Sequence, residues 1–128
     1  MMIDDMQRQR AQEVAEGLLR EIHGARSVLV ATADGFDLAS AGQADTASRL
    51  AAMTSSIAAI GEVVSQETSL GRPSCLVVDA ENGFLLVRAT SDAGVPLVLN
   101  VLTSRVALLG MAMHVLNAVA RRLEARGA

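Results

Sequence analysis

Two turn dipeptides, Asp34-Gly35 and Asn82-Gly83, each stand between short apolar runs, and they restrict the fold more than any other feature of the chain. Asp-Gly and Asn-Gly are the signature of two-residue type I′ hairpins, where both central residues need positive φ. So short a connection makes the flanking strands antiparallel. The pattern predicts one hairpin from Ser27–Ala33 and Phe36–Ala41, and a second from Ser74–Ala80 and Gly83–Thr90. A polar turn at Ser91–Gly94 leads into a fifth strand, Val95–Leu102. The last three strands therefore form a meander.

Helical spacing fills the intervals. Over Asp4–His23, apolar residues recur at Ala11, Val14 or Ala15, Leu18 and Ile22, with Arg8, Glu13, Glu16, Arg20 and Glu21 opposite. Asp4 and Asp5 suit its start and Gly24 its C′ position. Asp45 or Thr46 is expected to cap a long helix over Ala47–Thr68, closed by Gly71 and Pro73. Thr103 or Ser104 is expected to cap a final helix that runs to about Arg126. The order is α-β-β-α-β-β-β-α, an α/β chain. Strands such as Leu97-Val98-Leu99 are apolar on both faces, so helices should cover both sides of the sheet. With 128 residues and no linker, residues 1–128 read as a single domain.

Composition excludes several functions. The formal net charge is −3, and there is no Trp or Tyr, which argues against nucleic acid as a partner. The chain has no Lys, so a P-loop lysine, a Schiff-base lysine and a lysine general base are all ruled out. One cysteine, Cys75, cannot form an intrachain disulfide and fits a reducing cytoplasm. The opening MMIDDMQRQR has no apolar segment of the secretory kind, and no apolar run is long enough to insert in a membrane. GxxxxGK[ST], GxGxxG, HExxH and CxxC motifs are absent. His23 and His114 lie on different helices without ligand neighbours, so no metal and no cofactor are expected, and His114 reads as a core or interface residue. Asp79 and Arg88 flank the second hairpin and are expected either to pair across it or to end as solvated strand residues. No nucleophile has a base beside it. The chain reads as a binding protein rather than an enzyme.

The middle helix is the most informative segment. Between Arg49 and Glu62 it carries no charge: LAAMTSSIAAIG. A stripe of large residues, Leu50, Met53, Ile57, Ile60 and Val64, is expected to lie on the sheet. The next stripe, Ala51, Thr54, Ala58, Gly61 and Ser65, is small and is expected to face outward. A covering helix should show a charged outer face, and this one offers close backbone approach instead. Self-association is the expectation, with a twofold homodimer as the default and the helix packed antiparallel on its copy; the alternatives are that another segment of the same chain covers the stripe or that it stands solvated.

The element order with these motifs resembles the Roadblock/LC7 domain family, from about Met6 to Arg122. The matching pieces are SVLVATADGFDLAS, ASRLAAMTSSIAAIGEVVS, CLVVDAENGFLLVRA and PLVLNVLTSRVALLGMAMHVL. The resemblance implies a five-stranded antiparallel sheet with the middle helix on one face and the other two helices on the opposite face. It implies dimerisation through the middle helix and the third strand, Pro73–Asp79, whose edge would otherwise need protection. The surface carried over comprises Ala51, Thr54, Ser55, Ala58, Gly61, Glu62 and Ser65 on the helix, with Ser74, Leu76 and Val78 on the strand. It further implies a regulator or scaffold for a small Ras-like GTPase, without catalytic residues of its own. The alternatives are a small-molecule-sensing module of profilin-like or PAS-like shape, which would need a cavity with convergent polar groups, and a purely structural dimer subunit.

Overall fold

The computed structural model describes residues 3–43 and 45–126. The elements are α1 (Asp5–Glu21), β1 (Ala25–Thr32), β2 (Asp37–Gly42), α2 (Ala47–Glu67), β3 (Leu76–Ala80), β4 (Gly83–Asp92), β5 (Val95–Thr103) and α3 (Leu109–Ala125). The five strands form one sheet in the order β2-β1-β5-β4-β3, and every neighbouring pair is antiparallel. The α-β-β-α-β-β-β-α order expected from the sequence is the order found.

Both hairpins exist, but neither dipeptide makes a type I′ turn. β1 stops at Thr32 and β2 starts at Asp37, so the first connection has four residues. Thr32 closes that loop: its N–H donates to the Phe36 carbonyl at 2.8 Å. Its hydroxyl accepts from the Phe36 N–H at 3.1 Å. In the second hairpin Ala80 pairs with Gly83, so the loop is Glu81-Asn82. Gly83 serves a different purpose. A Cβ there would stand 1.9 Å from the Thr103 carbonyl oxygen, so only glycine lets β4 begin against the end of β5. The primed turn falls at the third connection, where Asp92 pairs with Val95 around Ala93 (φ 50°) and Gly94 (φ 80°).

The sheet is covered on both faces. On one face α1 packs on β1 and β2, and α3 packs on β4. Alternate strand residues, among them Val28, Val30, Leu86, Leu99 and Val101, meet Leu18, Leu116 and Ala120 of these helices in the main core. On the other face α2 lies alone, over a small cluster of Leu29, Ala31 and Ala51. α1 begins with a capping box, in which Asp4 accepts from the Gln7 N–H while the Gln7 side chain accepts from the Asp4 N–H. An ion pair between Arg10 and Asp92 at 2.8 Å ties α1 to the end of β4. Asp92 is 3% exposed, and its carboxylate raises the Arg10 pKa above the usual guanidinium range.

The final helix starts later than its sequence suggests. α3 begins at Leu109, and Leu108 at its N-cap makes no side-chain cap bond. Ser104 is held elsewhere: its N–H donates to the Gly24 carbonyl at 2.9 Å, and its own carbonyl accepts from Ala107 at 3.4 Å. Residues 104–107 are thus a loop strapped to the end of α1. Nor do Asp79 and Arg88 pair across the second hairpin. Asp79 meets Arg105 at 2.6 Å, and Arg88 meets Glu124 of α3 at 3.1 Å. Three residues of β4 separate Phe84, the partner of Asp79, from Arg88, which is out of reach.

Candidate partner-binding surface

The orientation of α2 decides what the molecule shows to a partner, and it is turned from the expected one: of the large stripe only Leu50 and Ile57 are half-buried, Leu50 against the Leu29 and Ala31 cluster, while Met53, Ile60 and Val64 are exposed. Ala51 and Thr54 are 0% exposed and Ser65 is 9% exposed, all turned to the sheet. Met53, Ile60, Val63 and Val64, by contrast, are surface residues at 55%, 62%, 56% and 51% exposure. The small stripe can be buried because its hydroxyls are satisfied within the helix. The Thr54 hydroxyl donates to the Leu50 carbonyl at 2.9 Å, so it faces an apolar sheet with no unmade hydrogen bond. Small residues also bring the helix close. A Cβ on Gly61 would stand 2.6 Å from a Leu76 methyl of β3, so the two elements touch at that point.

The other expected interface residues divide accordingly. Ser55, Ala58, Gly61 and Leu76 are half-buried, while Glu62, Ser74 and Val78 are exposed. Ala51, Thr54 and Ser65 sit under the helix and are not available to another molecule without unpacking it. The residues that sequence reasoning passed over are Met53, Ile60, Val63 and Val64 on α2, together with Leu70 beyond its end at 78% exposure. A signal for them existed: a helix without charge from Leu50 to Gly61 has an apolar surface on every side, so whichever stripe the sheet takes, another remains outside.

Beside this strip runs an open strand edge. β3 is the last strand of the sheet and is paired only with β4 among the described residues. Val78, 46% exposed, stands on the same face of β3 as Leu76, and so on the α2 side. An unpaired edge and an adjoining apolar helix face are two features that a lone protomer keeps out of water only with difficulty. No chemistry accompanies them. Among the described residues no group of three or more His, Cys, Asp or Glu could hold a metal ion. His114, expected in the core or at an interface, is exposed on α3 and so is not a core residue. Burial pushes the Cys75 thiol pKa up, away from thiolate reactivity. No helix among the described residues is long and apolar enough to cross a membrane.

A family model described as the Roadblock/LC7 domain matches residues 11–100. The chain belongs to the Roadblock/LC7 domain family. That family is one of regulatory, generally non-enzymatic domains. A Roadblock/LC7 domain from Streptomyces avermitilis is 21% identical and superposes with a TM-score of 0.76, over 89% of this chain and 94% of that one. MglB of Myxococcus xanthus is 16% identical with a TM-score of 0.82, over 98% of this chain and 92% of that one. The gliding protein MglB of Thermus thermophilus is 26% identical with a TM-score of 0.69, over 95% and 96%. The expected arrangement of the sheet with three helices is thus the Roadblock/LC7 fold. No curated protein compared with the chain matches it.

Proposed function

We propose that this Roadblock/LC7 chain is a non-catalytic, cytoplasmic regulator that works as a homodimer and binds a small Ras-like GTPase. The observation that carries the reading is the outward apolar strip of α2 beside the open edge of β3. Two copies related by a twofold axis bring β3 against its counterpart and α2 against its counterpart. The strand edges then pair, and Met53, Ile60 and Val64 leave water together. Similarity to MglB supports association with further copies, since one such neighbour, 27% identical, is described as MglB with a tetrameric arrangement. The GTPase partner is supported by the same family relationship. No arginine finger can be assigned, so any stimulation of hydrolysis would come from reshaping the switch loops of the GTPase.

The test is capture of partners by the tagged protein from its own cell lysate, with identification by mass spectrometry. Enrichment of a Ras-like GTPase, stronger in one nucleotide state, supports the regulator and supplies the substrate for a hydrolysis assay. Recovery of untagged copies of the chain and no GTPase keeps the dimer and removes the GTPase from the reading.

A further inference from the structure

We infer that the half of β4 beyond β3 is a docking edge, where an extended, uncharged segment of a partner protein adds to the sheet as a further strand. β3 pairs with β4 only from Leu76, opposite Val87, to Ala80, opposite Gly83. β4 runs on to Asp92 with β5 alone beside it among the described residues. The segment before β3 leaves this part of β4 free, since no backbone hydrogen bond joins the two among the described residues. The ladder fixes which way the β4 backbone groups point. The Ala33 N–H donates to the Pro96 carbonyl at 3.2 Å, so Pro96 turns to β1 and Leu97 turns to β4. Leu97 pairs with Thr90, so Thr90 bonds to β5, and its neighbours Ala89 and Ser91 turn their N–H and C=O groups outward. The Ala89 carbonyl accepts from the Arg88 guanidinium, in the place a neighbouring strand would take. The Ala89 and Ser91 N–H groups and the Ser91 carbonyl have no protein partner among the described residues.

A groove of about 310 Å³ runs along this edge. Ala89 and Ser91 line it from the α2 side, and Thr90 and Glu124 line it from the α3 side, where the Thr90 hydroxyl donates to the Ala120 carbonyl. The groove therefore wraps the strand edge from one face of the sheet to the other, with the β4 backbone on its surface. Its wall on α2 is Ser55, Ala58, Ala59 and Glu62. All but Glu62 are small, and Ala59 and Ala89 are exposed, so there is apolar surface for an occupant to cover. Edges are usually blunted by charge, proline or a bulge. Ala89, Thr90 and Ser91 carry no charge and no proline, and the ladder there has no bulge. The backbone decides the occupant. Outward N–H and C=O groups on alternate residues match an extended chain, whose own groups repeat with the same period. A helix cannot answer them, because its backbone groups are already paired. On the rim Glu62 and Glu124 oppose Arg72, so net charge selects nothing, and small or aliphatic side chains suit the alanine wall. Helical spacing puts Ser55, Ala59 and Glu62 on the flank of α2 opposite Met53, Ile60 and Val64. The inference thus uses neither the strip nor the β3 edge of the proposed dimer, and it stands without the GTPase.

The experiment uses the full chain, isotope-labelled for NMR, with a short capped peptide of alternating valine and threonine as the probe. Two counterparts are N-methylated, one at every valine and one at every threonine, so that each loses the hydrogen bonds of one edge only. The expected result is that the parent peptide shifts the Ala89 and Ser91 amides and slows their hydrogen exchange. One methylated peptide should bind as the parent does, and the other about tenfold or more weaker, because its backbone hydrogen bonds to β4 are lost. Ala89→Pro removes an outward N–H that the ladder to β5 does not use, and should weaken the parent peptide by about tenfold. Ala59→Arg, on the exposed wall of α2, should weaken it as well, and keeps the test intact if the proline variant does not fold. Protection of the Ala89 and Ser91 amides in the chain without peptide would overturn the inference, since a second copy or the chain's own loop would then cover the edge. It is equally overturned if both methylated peptides bind alike, if the shifts map to β3 and not to β4, or if no shift appears by about 1 mM peptide, the weak end of specific affinity.

Discussion

Ile60→Asp tests the proposed dimer most directly. Ile60 is 62% exposed in the protomer. Fully burying a large aliphatic side chain contributes about 1.5–3 kcal/mol, so the part of Ile60 still in water amounts to about 1–2 kcal/mol. Twofold symmetry places the residue in the seam twice, which doubles the loss to about 2–4 kcal/mol. Aspartate adds two carboxylates facing a desolvated seam with no cation opposite, and stranding a buried charge costs about 3–5 kcal/mol. Even a total of about 4 kcal/mol raises the dimer Kd about a thousandfold. The protomer itself should lose little, because an exposed position of this kind changes stability by about 0.5 kcal/mol or less. Light scattering coupled to gel filtration over a dilution series gives the mass, and circular dichroism checks the fold. The wild-type chain should hold a dimer mass where Ile60→Asp elutes as a folded monomer. A variant that keeps the wild-type mass across the series would refute the α2 seam.

Three further substitutions probe the fold that presents this surface. Ala51→Leu should destabilise the protomer by about 1–3 kcal/mol in urea unfolding, because Ala51 is fully buried against Leu29 and Ala31 and has no room for three more carbons; a neutral result would mean that the small stripe does not face the sheet. Ala93→Asn should stabilise the chain by about 0.5–1 kcal/mol, since φ at Ala93 is +50° and asparagine tolerates that region better than alanine; an unchanged melting temperature would count against the primed turn. The Asp34 carboxyl should titrate below the ordinary aspartate range, because the Thr32 hydroxyl bonds to it, and Thr32→Val should move its midpoint upward in a carboxyl-carbon NMR titration; an unmoved midpoint would remove that hydrogen bond as the cause.

The hairpins were legible in the sequence because alternation and turn residues act locally. Which residues form each turn was not, because it depends on distant chain. Asn82-Gly83 has the dipeptide of a primed turn, yet Gly83 belongs to β4, set against the carbonyl of Thr103 twenty residues away in sequence, and the two loop residues are Glu81 and Asn82, as the strand bounds had left them. Ser104 has the chemistry of a helix cap, yet its backbone is taken by Gly24. In both cases a local preference yields to a backbone contact that no window of sequence contains.

The rotation of α2 has a different cause, and it bears on function. Assigning the larger stripe to the sheet assumes that one protomer is the unit that must bury it. For a chain that folds alone this holds, since the apolar face with most surface gains most by leaving water. Here Leu29, Val87 and Val98 are buried on the sheet face under α2, and Ala51 and Thr54 are fully buried there while the Thr54 hydroxyl stays bonded. Placing Met53 and Ile60 there would push the helix off Leu76, where Gly61 now touches β3. The close seat of α2 therefore requires the small stripe inside, and the large stripe is then left for something else to cover. On this argument the misassigned stripe and the partner surface are one fact. A helix with two apolar faces of unequal size puts the small one where fit is tight and the large one where a second molecule arrives. If Ile60→Asp proves folded and monomeric while Ala51→Leu proves dimeric but destabilised, the two faces will have been separated by experiment, the inner serving the protomer and the outer serving assembly.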